Sequence, residues 1–590
     1  MIQQVEYFAI PATPVLGIDI ETTMNHGKNS DPFRDRIVSI QVSDGTDVWV
    51  CTNPQGFDSI VPILDAPDVV KIFHNATFDL QFLIQQLGLY NVRNTPNKES
   101  IWDTLIMERV IHAGEKMDHD LANTLARRMG VMLDKSIRKS FSDQDGPLTE
   151  SQLVYIAGDV LHLPKLREMQ MKDLSAAGLG RVAGVENSLT SIIARMSLTG
   201  VGFDQELWKS YIPKIRETLE EIEGWLADRL DLPTQTTLFG GDRLTINIGS
   251  SDQLVRLFDQ IGLKLDTTNK NDIASFLFNN PGHPHREVLE KIVEWRQWNH
   301  MLSTPYSDSV NPATGRIHAS WNQVGAATGR FSCSKPNLQN PKRPSSDDSK
   351  PNIRLLFIPV DEDHVFVIMD YNQQEPRIYA QISGDMALRQ ACSQADVYIA
   401  MAEEIEGRKV TKDDPARQKT KTGVLSDFYG IAPVNLAARM GITLEAAEDY
   451  HRQIEKKFPQ AKRWSSRTKA AVQSTGMTKT LLGRIRHYPE VKEGKISNHL
   501  LNEAINMPIQ GSGADMLKMA MVEFDTRCRA KNLDAFIALV VHDEIVVHCK
   551  RDIAQTVFDE LKESMEFSGT ALCPDVAIIA EGVISDRWSK

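Results

Sequence analysis

The amino-acid sequence predicts a multidomain protein of mixed α/β and α+β fold. The chain has 590 residues, which is too long for a single hydrophobic core and suggests roughly three to five units. Residues 15–50 alternate apolar and polar positions as β-strands do, whereas residues 205–300 repeat apolar side chains at helical spacing. Farther along, the strand-like segments VFVIMDY and ALVVHDEIVVHC flank a helix-rich block at residues 386–490. We therefore expect an α/β start, a helical arm and a second mixed unit.

Composition excludes fibrous, disordered and membrane-spanning classes of protein. Hydrophobic residues make up 41% and charged residues 24% of the chain, which is ordinary for a packed soluble protein. The sequence contains neither a run of eighteen apolar residues nor a targeting pattern, so we expect a cytoplasmic protein that does not bind membranes. The six cysteines show no C-x-x-C spacing, which argues against a zinc site or a disulfide framework and fits a reducing cytosol.

The charge distribution keeps a nucleic-acid partner open. A net charge of −12 argues mildly against binding to DNA, because phosphate contacts need Lys and Arg. However, residues 456–488 contain nine Lys or Arg and no Asp or Glu, with Trp464, His487 and Tyr488 among them. A basic run is usually only a solvated face, but interleaved aromatic residues are typical of nucleic-acid binding.

Three short motifs near the N-terminus carry acidic residues that can converge. Asp19 and Glu21 lie two residues apart on a predicted strand, so their side chains share one face. HNATFD supplies Asp79, and YIAGD supplies Tyr155 and Asp159 at i and i+4 on a helix. Carboxylates gathered at one spot repel one another unless hard cations such as Mg²⁺ or Mn²⁺ neutralise them. Two such ions can activate a water that attacks a phosphodiester.

The order and spacing of these motifs resemble the proofreading 3′→5′ exonuclease superfamily, whose pattern is D-x-E, N-x-x-x-F-D and Y-x-x-x-D. The resemblance implies an RNase H-like fold and a site with two metal ions. The implied metal ligands are Asp19, Glu21, Asp79 and Asp159. By the same resemblance Tyr155 orients the attacking water, and Asp103, in WDT, has a supporting role.

A second set of carboxylates lies in the C-terminal half. Asp370 ends the apolar segment VFVIM, where a lone buried carboxylate would be costly without a partner cation. Asp543 and Glu544 interrupt another apolar run, which taken alone could be the turn of a hairpin. We expect the two segments to be strands that bring Asp370 and Asp543 together.

A helical stripe lies between these two segments. Residues at four-residue spacing share one face of a helix, and the members of this stripe are Arg417, Lys421, Leu425 and Tyr429. Such a stripe could be surface charge that fades into core. It could equally bind a nucleoside triphosphate, with the two cations at the phosphates, Leu425 at the sugar and Tyr429 at the base pair.

The motifs DYxQxExR, RxxxKxxx[apolar]xxxYG and HDE together resemble the signatures of family A, the DNA polymerase I-like DNA polymerases. TGRFSCSKPNLQN, TLLGRIRHYPE and NMPIQGSGAD resemble further motifs of that family in the same order, so the resemblance covers nearly the whole chain. It implies a right-hand polymerase fold of palm, fingers and thumb after the exonuclease domain. We predict an exonuclease domain at 1–180 and a polymerase domain at 181–590, with the thumb at about 205–310, the palm at about 311–385 and 495–590, and the fingers at about 386–494.

The resemblance also assigns roles to individual residues. It gives metal binding to Asp370, Asp543 and the backbone carbonyl of Tyr371, and support of the primer terminus to Glu544. Glu375 matches the steric gate that excludes a ribose 2′-hydroxyl, so the expected substrates are dNTPs. The remaining implied contacts to primer, template or minor groove are Arg330, Asn340, Asn506, Gln510 and His542. The implied reaction is attack of the primer 3′-hydroxyl on the α-phosphate, with two Mg²⁺, or Mn²⁺, at each active site.

Several positions depart from the family pattern. Gln374 and Pro376 stand in NQQEPR where SQIELR is usual, which puts the local helix start in doubt. Leu425 occupies the usual place of Phe or Tyr, and Asn502 stands where the family often has Arg, which weakens one expected contact to template or primer. The polar, Pro-rich loop at 341–352 has no assigned role.

Two alternative functions stay open at this point. One is a nuclease or DNA-binding protein with an inactive polymerase half, against which the intact Asp370, Lys421 and Asp543 argue. The other is a single-subunit RNA polymerase, a class that lacks a proofreading domain and that Glu375 would obstruct. Apart from primed DNA template and dNTPs, the expected partners include a replicative helicase, a primase or a processivity factor. We expect a monomer, and the compact size resembles phage replicative enzymes.

Overall fold

The computed structural model describes most of the chain. The described residues are 1–9, 13–25, 30–88, 100–141, 144, 146–232, 234–236, 242–244, 246–280, 282–343 and 350–590. Part of the Pro-rich loop expected at 341–352 lies outside them. No helix among the described residues combines the length and the apolar character needed to span a bilayer.

The alternating segment at residues 15–50 forms the centre of a six-stranded N-terminal sheet. The strands are β1 (Ile2–Val5), β2 (Val15–Thr22), β3 (Ile37–Ser43), β4 (Val48–Cys51), β5 (Val70–Phe73) and β6 (Ile101–Asp103). Their order across the sheet is β1-β4-β3-β2-β5-β6. β3 runs antiparallel to β2 and β4, whereas β2, β5 and β6 are parallel. The carboxyl ends of β2, β5 and β6 therefore meet at one edge.

Helices cover this sheet and supply the remaining N-terminal motif residues. They are α1 (Val61–Asp65), α2 (Ala76–Leu87), α3 (Thr104–Ile111), α4 (Leu121–Met129), α5 (Glu150–Leu161) and α6 (Leu163–Ala177). α5 begins with a capping box, in which Thr149 and Gln152 each accept a hydrogen bond from the backbone N–H of the other. α5 then packs across β2, β3 and β4, which places its acidic residue beside β2.

A helical segment connects the N-terminal sheet to the rest of the molecule. It contains α7 (Gly180–Thr199), β7 (Val201–Phe203), α8 (Gln205–Leu230), β8 (Thr234–Thr236), β9 (Asp242–Leu244), α9 (Ser251–Gln260), α10 (Lys270–Asn279) and α11 (Arg286–Ser303). α7 is buried along most of its length and contacts α2 on one side and the C-terminal half on the other. α8 and α11 pack against each other along their apolar stripes.

The C-terminal half is built around an antiparallel sheet of four strands, ordered β17-β18-β14-β19. Its strands and the short strands before it are β10 (Arg316–Ile317), β11 (Ser320–Asn322), β12 (Ser332–Ser334), β13 (Phe357–Ile358), β14 (His364–Tyr371), β17 (Ala535–Val541), β18 (Glu544–Lys550) and β19 (Ala580–Ser585). Two long helices, α20 (Asn498–Ala530) and α21 (Ala554–Leu572), pack together beside this sheet. β14 lies between β18 and β19, so its carboxyl end faces the β17–β18 turn.

The predicted helix-rich block lies between β14 and α20. It consists of α12 (Gln374–Ser383), α13 (Met386–Cys392), α14 (Val397–Glu406), α15 (Pro415–Phe428), α16 (Pro433–Met440), α17 (Leu444–Lys457), α18 (Pro459–Thr475), β15 (Met477–Lys479), β16 (Ile485–His487) and α19 (Pro489–Lys492). α18 packs on both α12 and α20. These contacts hold α15 and α18 near the carboxyl end of β14, where Asp370 lies.

Candidate active sites

The N-terminal acids meet at the junction of β2 and α5. Asp19 and Glu21 lie on one face of β2, and Asp159 lies on α5. The three side chains each offer a carboxylate oxygen within 4.8 Å of the other two. Gln41 on β3 donates a hydrogen bond to Asp19 Oδ2 at 2.6 Å. Three close carboxylates form a donor set of hard oxygens, which fits a divalent cation such as Mg²⁺ or Mn²⁺.

Asp79 and Tyr155 lie next to this group of three carboxylates. Asp79 on α2 is buried, and the backbone N–H of Ile20 donates to its Oδ1 at 3.2 Å. Burial, together with the charge of Asp19, raises the pKa of Asp79, and a cation at the group would oppose that rise. Tyr155 is half-buried one turn before Asp159 on α5, with its ring centroid 5.9 Å from that of Phe141.

Asp103 is held by backbone groups. It caps α3 by accepting hydrogen bonds from the N–H groups of Leu105 and Ile106. It also accepts from the N–H groups of Asn75 and Ala76 at 3.0 and 2.8 Å. Four backbone donors leave this buried carboxylate little capacity for a metal ion, so it fixes the start of α2 relative to α3.

The C-terminal acids meet where β14 faces the β17–β18 turn. Asp370 is opposite Glu544 in the antiparallel pairing, and Asp543 lies in the two-residue turn that precedes Glu544. Burial, and next the charge of Asp370, raise the pKa of Asp543 to about 6. Tyr371 has a fully buried side chain whose hydroxyl donates to Met565 O at 3.0 Å, so only its backbone could serve a metal ion. Two carboxylates and a carbonyl again form a hard-oxygen donor set.

Basic side chains that the sequence motifs did not single out neutralise these acids. Arg343 donates to Asp370 Oδ2 at 2.6 Å, and the Lys590 ammonium contacts Oδ1 of the same carboxylate. Arg354 contacts both oxygens of the buried Glu544 at 3.0 and 3.1 Å. No motif spacing marks these cations, which come from residues 343–354 and from the C-terminal end, so sequence reasoning had no signal for them beyond the loop that contains Arg343.

A cavity of about 310 Å³ opens beside Asp543. It is lined by Arg330, Gln373, Gln374, Glu375, Pro376, Tyr398, Gly513, Ala514, His542 and Asp543. Four residues predicted from the motifs, namely Arg330, Glu375, His542 and Asp543, thus share one cavity. The predicted residue Asn340 is exposed and is not part of this lining.

A hydrogen-bonded chain of three side chains crosses the cavity region. The Tyr429 hydroxyl donates to Glu375 Oε2 at 2.6 Å, and Arg330 Nη2 lies 3.3 Å from Glu375 Oε1. Burial, and then the charge of Glu375, hold the pKa of Tyr429 well above its usual value, so the phenol stays a donor. The Glu375 carboxylate is therefore held from both sides.

The stripe predicted on one helix lies on α15 and at its end. Arg417 forms an ion pair with Asp396, at the start of α14, with a shortest distance of 2.7 Å. Lys421 is exposed, and its ammonium lies 5.9 Å from the centroid of the Tyr398 ring, which lines the cavity. Leu425 is partly buried on the same face. The helix ends at Phe428, so Tyr429 is its C-cap residue.

The helix after motif DYNQQEPR forms despite its departures from the family pattern. α12 begins at Gln374, which puts Pro376 in the first turn, where a backbone N–H has no partner within the helix. Gln374 is buried, and its amide donates to Gly513 O of α20 at 3.4 Å. The doubt about the local helix start is therefore resolved, since proline is tolerated here and glutamine joins α12 to α20.

The predicted contacts Asn506 and Gln510 lie one turn apart on α20. Both side chains are partly exposed. The Oδ1 atom of Asn506 is nevertheless buried and accepts no hydrogen bond from the described residues. This face of α20 leads to Gly513 and Ala514 in the cavity lining.

The fold and the two groups of carboxylates define a polymerase of the right-hand class that carries its own nuclease domain. Residues 216–590 match the family model described as DNA polymerase family A, and residues 5–174 match the one described as 3′-5′ exonuclease. The chain belongs to DNA polymerase family A and carries a 3′-5′ exonuclease domain. The predicted family, fold class and enzyme class are thereby confirmed, whereas the domain boundaries and the assigned site residues stay predictions.

Similar proteins include bacterial enzymes named DNA polymerase I. The one from Aquifex aeolicus is 28% identical over 98% of this chain and 96% of its own length. The one from Chloroflexus aurantiacus is 30% identical over 94% of this chain, and the one from Pseudomonas aeruginosa is 28% identical over 90%. This chain spans 59% and 58% of those two relatives. The expected phage origin stays a prediction.

A solved structure shares the fold of the whole chain. It is the POL domain of Pol1 from M. smegmatis, in complex with DNA primer-template and dNTP. The TM-score is 0.80 at 21% sequence identity, and the match covers 97% of this chain and 95% of that one.

Proposed function

We propose that this chain extends a DNA primer on a template with dNTPs and removes mismatched 3′-terminal nucleotides at its second site. The observation that carries the proposal is the cavity that Glu375 and Asp543 both line, next to Asp370 at the end of β14. The intact carboxylate pair and the exposed Lys421 favour an active polymerase over a nuclease with an inactive C-terminal half.

At the polymerase site, Asp370, Asp543 and the Tyr371 carbonyl would hold divalent ions, whose chemistry when bound is activation of the primer 3′-hydroxyl and neutralisation of phosphate charge. Lys421 and Arg417 bind the triphosphate of the incoming nucleotide through charge-assisted hydrogen bonds. Arg417 must share its guanidinium between the phosphate and Asp396. Arg343 and Lys590 offset the charge of the Asp370 carboxylate.

Substrate selection follows from the side chains that face the sugar and base. Glu375 is fixed by Tyr429 and Arg330, so it cannot turn away from a ribose 2′-hydroxyl without breaking two contacts. This rigidity excludes ribonucleotides by steric clash. Tyr429 lies at the end of α15, where its ring can pack against the new base pair.

At the exonuclease site, Asp19, Glu21 and Asp159 would hold divalent ions, with Asp79 beside them. Tyr155 lies one turn from Asp159 and orients the attacking water with its hydroxyl. We propose Mg²⁺ as the working ion at both sites, with Mn²⁺ as a substitute. We further propose a cytosolic monomer that works with a helicase, a primase or a processivity factor.

The test of the polymerase site is the substitution Asp370→Asn. We expect primer extension to fall by at least roughly a thousandfold, because a lost metal ligand removes several kcal/mol of transition-state stabilisation. Degradation of single-stranded DNA by the same preparation is the control and should continue at the parental rate. Parallel reactions with dNTPs and NTPs on one primed template separate DNA synthesis from RNA synthesis. Undiminished extension by the variant would rule out the assigned site.

A further inference from the structure

One face of α20 presents three amide side chains, two of which have an oxygen that accepts no hydrogen bond from the described residues. Asn502, Asn506 and Gln510 recur every four residues and so lie on one side of the helix. The Oδ1 atoms of Asn502 and Asn506 are buried and accept no hydrogen bond from the described residues. A buried acceptor without a donor is unfavourable, so this face of α20 is a candidate for contact with a ligand.

The ammonium group of Lys469 reaches the same place from α18. A Cβ atom placed on Gly430 would lie 2.4 Å from Asn502 Oδ1 and 3.2 Å from Lys469 Nζ. Gly430 has a φ of 78° and directly follows Tyr429, whose hydroxyl contacts Glu375. The Lys469 ammonium and the Asn502 amide are thus neighbours immediately behind the residue assigned to the nascent base pair.

Lys469 forms no ion pair with an acidic side chain among the described residues, unlike Lys462 and Arg486. On the same helix, Lys462 pairs with Asp427 at 2.8 Å, and Arg486 on β16 pairs with Glu503 at 2.8 Å. Partial burial, and then the charge of Lys462, lower the pKa of Lys469, whereas the charge of Asp427 opposes that shift. Because Asp427 already pairs with Lys462, the half-buried Lys469 ammonium has capacity for an anion from a ligand.

We propose that Lys469 binds a backbone phosphate of the DNA next to the nascent base pair, with Asn502 beside it; this inference rests on the proposed polymerase function. A DNA phosphate at that point would form a charge-assisted contact with the half-buried ammonium.

The first test compares Lys469→Ala with Lys172→Ala, a matched control that removes the same charge from an exposed position on α6, outside the basic run at residues 456–488. Binding of primed DNA is measured by fluorescence anisotropy over a range of salt concentrations. We expect Lys469→Ala to weaken binding roughly tenfold at low salt and to reduce the slope of log affinity against log salt by about one. The control should leave both quantities at parental values.

A second variant tests the location of the contact. Arg placed at position 502 would bring a guanidinium from α20 to the point beside Gly430 that Lys469 now occupies. The double variant Lys469→Ala/Asn502→Arg should therefore regain the affinity and the salt slope. To identify the contacted strand, single phosphates of the template or of the primer are replaced by neutral methylphosphonates. Replacement of the contacted phosphate should weaken DNA binding by the parent protein but should not weaken binding by Lys469→Ala any further.

An unchanged affinity and salt slope for Lys469→Ala would overturn the proposal, as would equal losses in the Lys172→Ala control. The primer-extension assay keeps the proposed function separate. A parent protein that binds primed DNA with the Lys469-dependent slope but extends no primer would overturn the polymerase function and leave the phosphate contact standing.

Discussion

Single side chains around the cavity are proposed to select the incoming nucleotide. Glu375 is held by Tyr429 at 2.6 Å and faces Arg330 at 3.3 Å, so the proposed gate is built from three residues of three different motifs. Leu425 lies one turn before Tyr429 on α15 and is partly buried. The proposed gate residue Glu375 is expected to lie against the 2′ position of the sugar, whereas Leu425 is expected to lie against its 3′ side.

We predict that Leu425→Tyr relaxes discrimination against dideoxynucleotides by roughly tenfold or more, equivalent to about 1.4 kcal/mol. A tyrosine hydroxyl can replace the interaction that a missing sugar 3′-hydroxyl leaves unmade, whereas the leucine side chain cannot. Competition between ddTTP and dTTP in a variant without exonuclease activity measures the effect. An unchanged selectivity ratio would mean that α15 does not present Leu425 to the sugar.

Residues within spaced motifs were predictable from the sequence, but their neutralising partners were not. Asp370, Glu375 and Asp543 stand in patterns that the chain keeps intact. Arg343 and Lys590 contact Asp370 only because folding brings a loop and the residues after β19 to the same end of β14. No local periodicity records such long-range contacts, which is why sequence reasoning missed them.

At the scale of elements, a buried ionic cluster joins three parts of the fold. Glu186 on α7 contacts Arg484, between β15 and β16, and Lys518 on α20, and all three side chains are fully buried. Asp515 pairs with Arg484 at 2.7 Å and completes the cluster. Burial lowers the pKa of Lys518 to about 8, whereas Lys518 and Arg484 together outweigh the effect of burial on Glu186 and lower its pKa.

We predict that Glu186→Gln lowers the free energy of unfolding by about 3–5 kcal/mol, because it leaves the buried Lys518 without its ion-pair partner and Arg484 with Asp515 alone. Urea unfolding followed by tryptophan fluorescence measures the change. Glu168→Gln is the matched control, since Glu168 forms an exposed pair with Lys165 at 2.7 Å and should change stability by less than about 0.5 kcal/mol. A loss no larger than the control's would show that the cluster contributes little to stability.

Element boundaries were predictable where the sequence carries helix or strand signals, and the exceptions have local causes. The alternation at 15–50 predicted the centre of the first sheet, and the apolar runs predicted β14, β17 and β18. The sequence left the start of α12 in doubt, because Pro376 would break a helix anywhere except in its first turn. The structure places Pro376 in that first turn. The stripe ending at Tyr429 exceeds α15 by one residue because the chain turns there through Gly430, at a positive φ.

At the scale of the whole molecule, the N-terminal part is docked firmly on the C-terminal half. The N–H of His487 on β16 donates to Ala113 O at 2.7 Å, and Arg109 on α3 donates to Asn322 Oδ1 on β11 at 2.8 Å. A Cβ on Gly114 would lie 2.2 Å from His487 O, so this junction tolerates no side chain there. The two carboxylate groups nevertheless belong to different sheets and share no residue.

We predict that replacing Asp19 and Glu21 together with Ala removes metal-dependent 3′→5′ degradation while primer extension persists at a rate within about twofold of the parent. The two residues supply two of the three carboxylates in the N-terminal group, so the remaining Asp159 cannot hold the ions that activate the attacking water. Asp370 and Asp543 lie on another sheet, and the docking contacts at Ala113 and Asn322 do not involve β2.

Both activities are measured on one end-labelled primer annealed to a longer template, with and without dNTPs and with Mg²⁺ or a chelator. The single variant Asp370→Asn is the reciprocal control, because it should degrade the labelled primer without extending it. Misincorporated 3′ ends should then persist in the Asp19→Ala/Glu21→Ala products and be removed by the parent, since excision and synthesis use separate ions. Degradation at the parental rate in the double variant would place the nuclease site elsewhere, and a joint loss of both activities would mean that the sites are not independent.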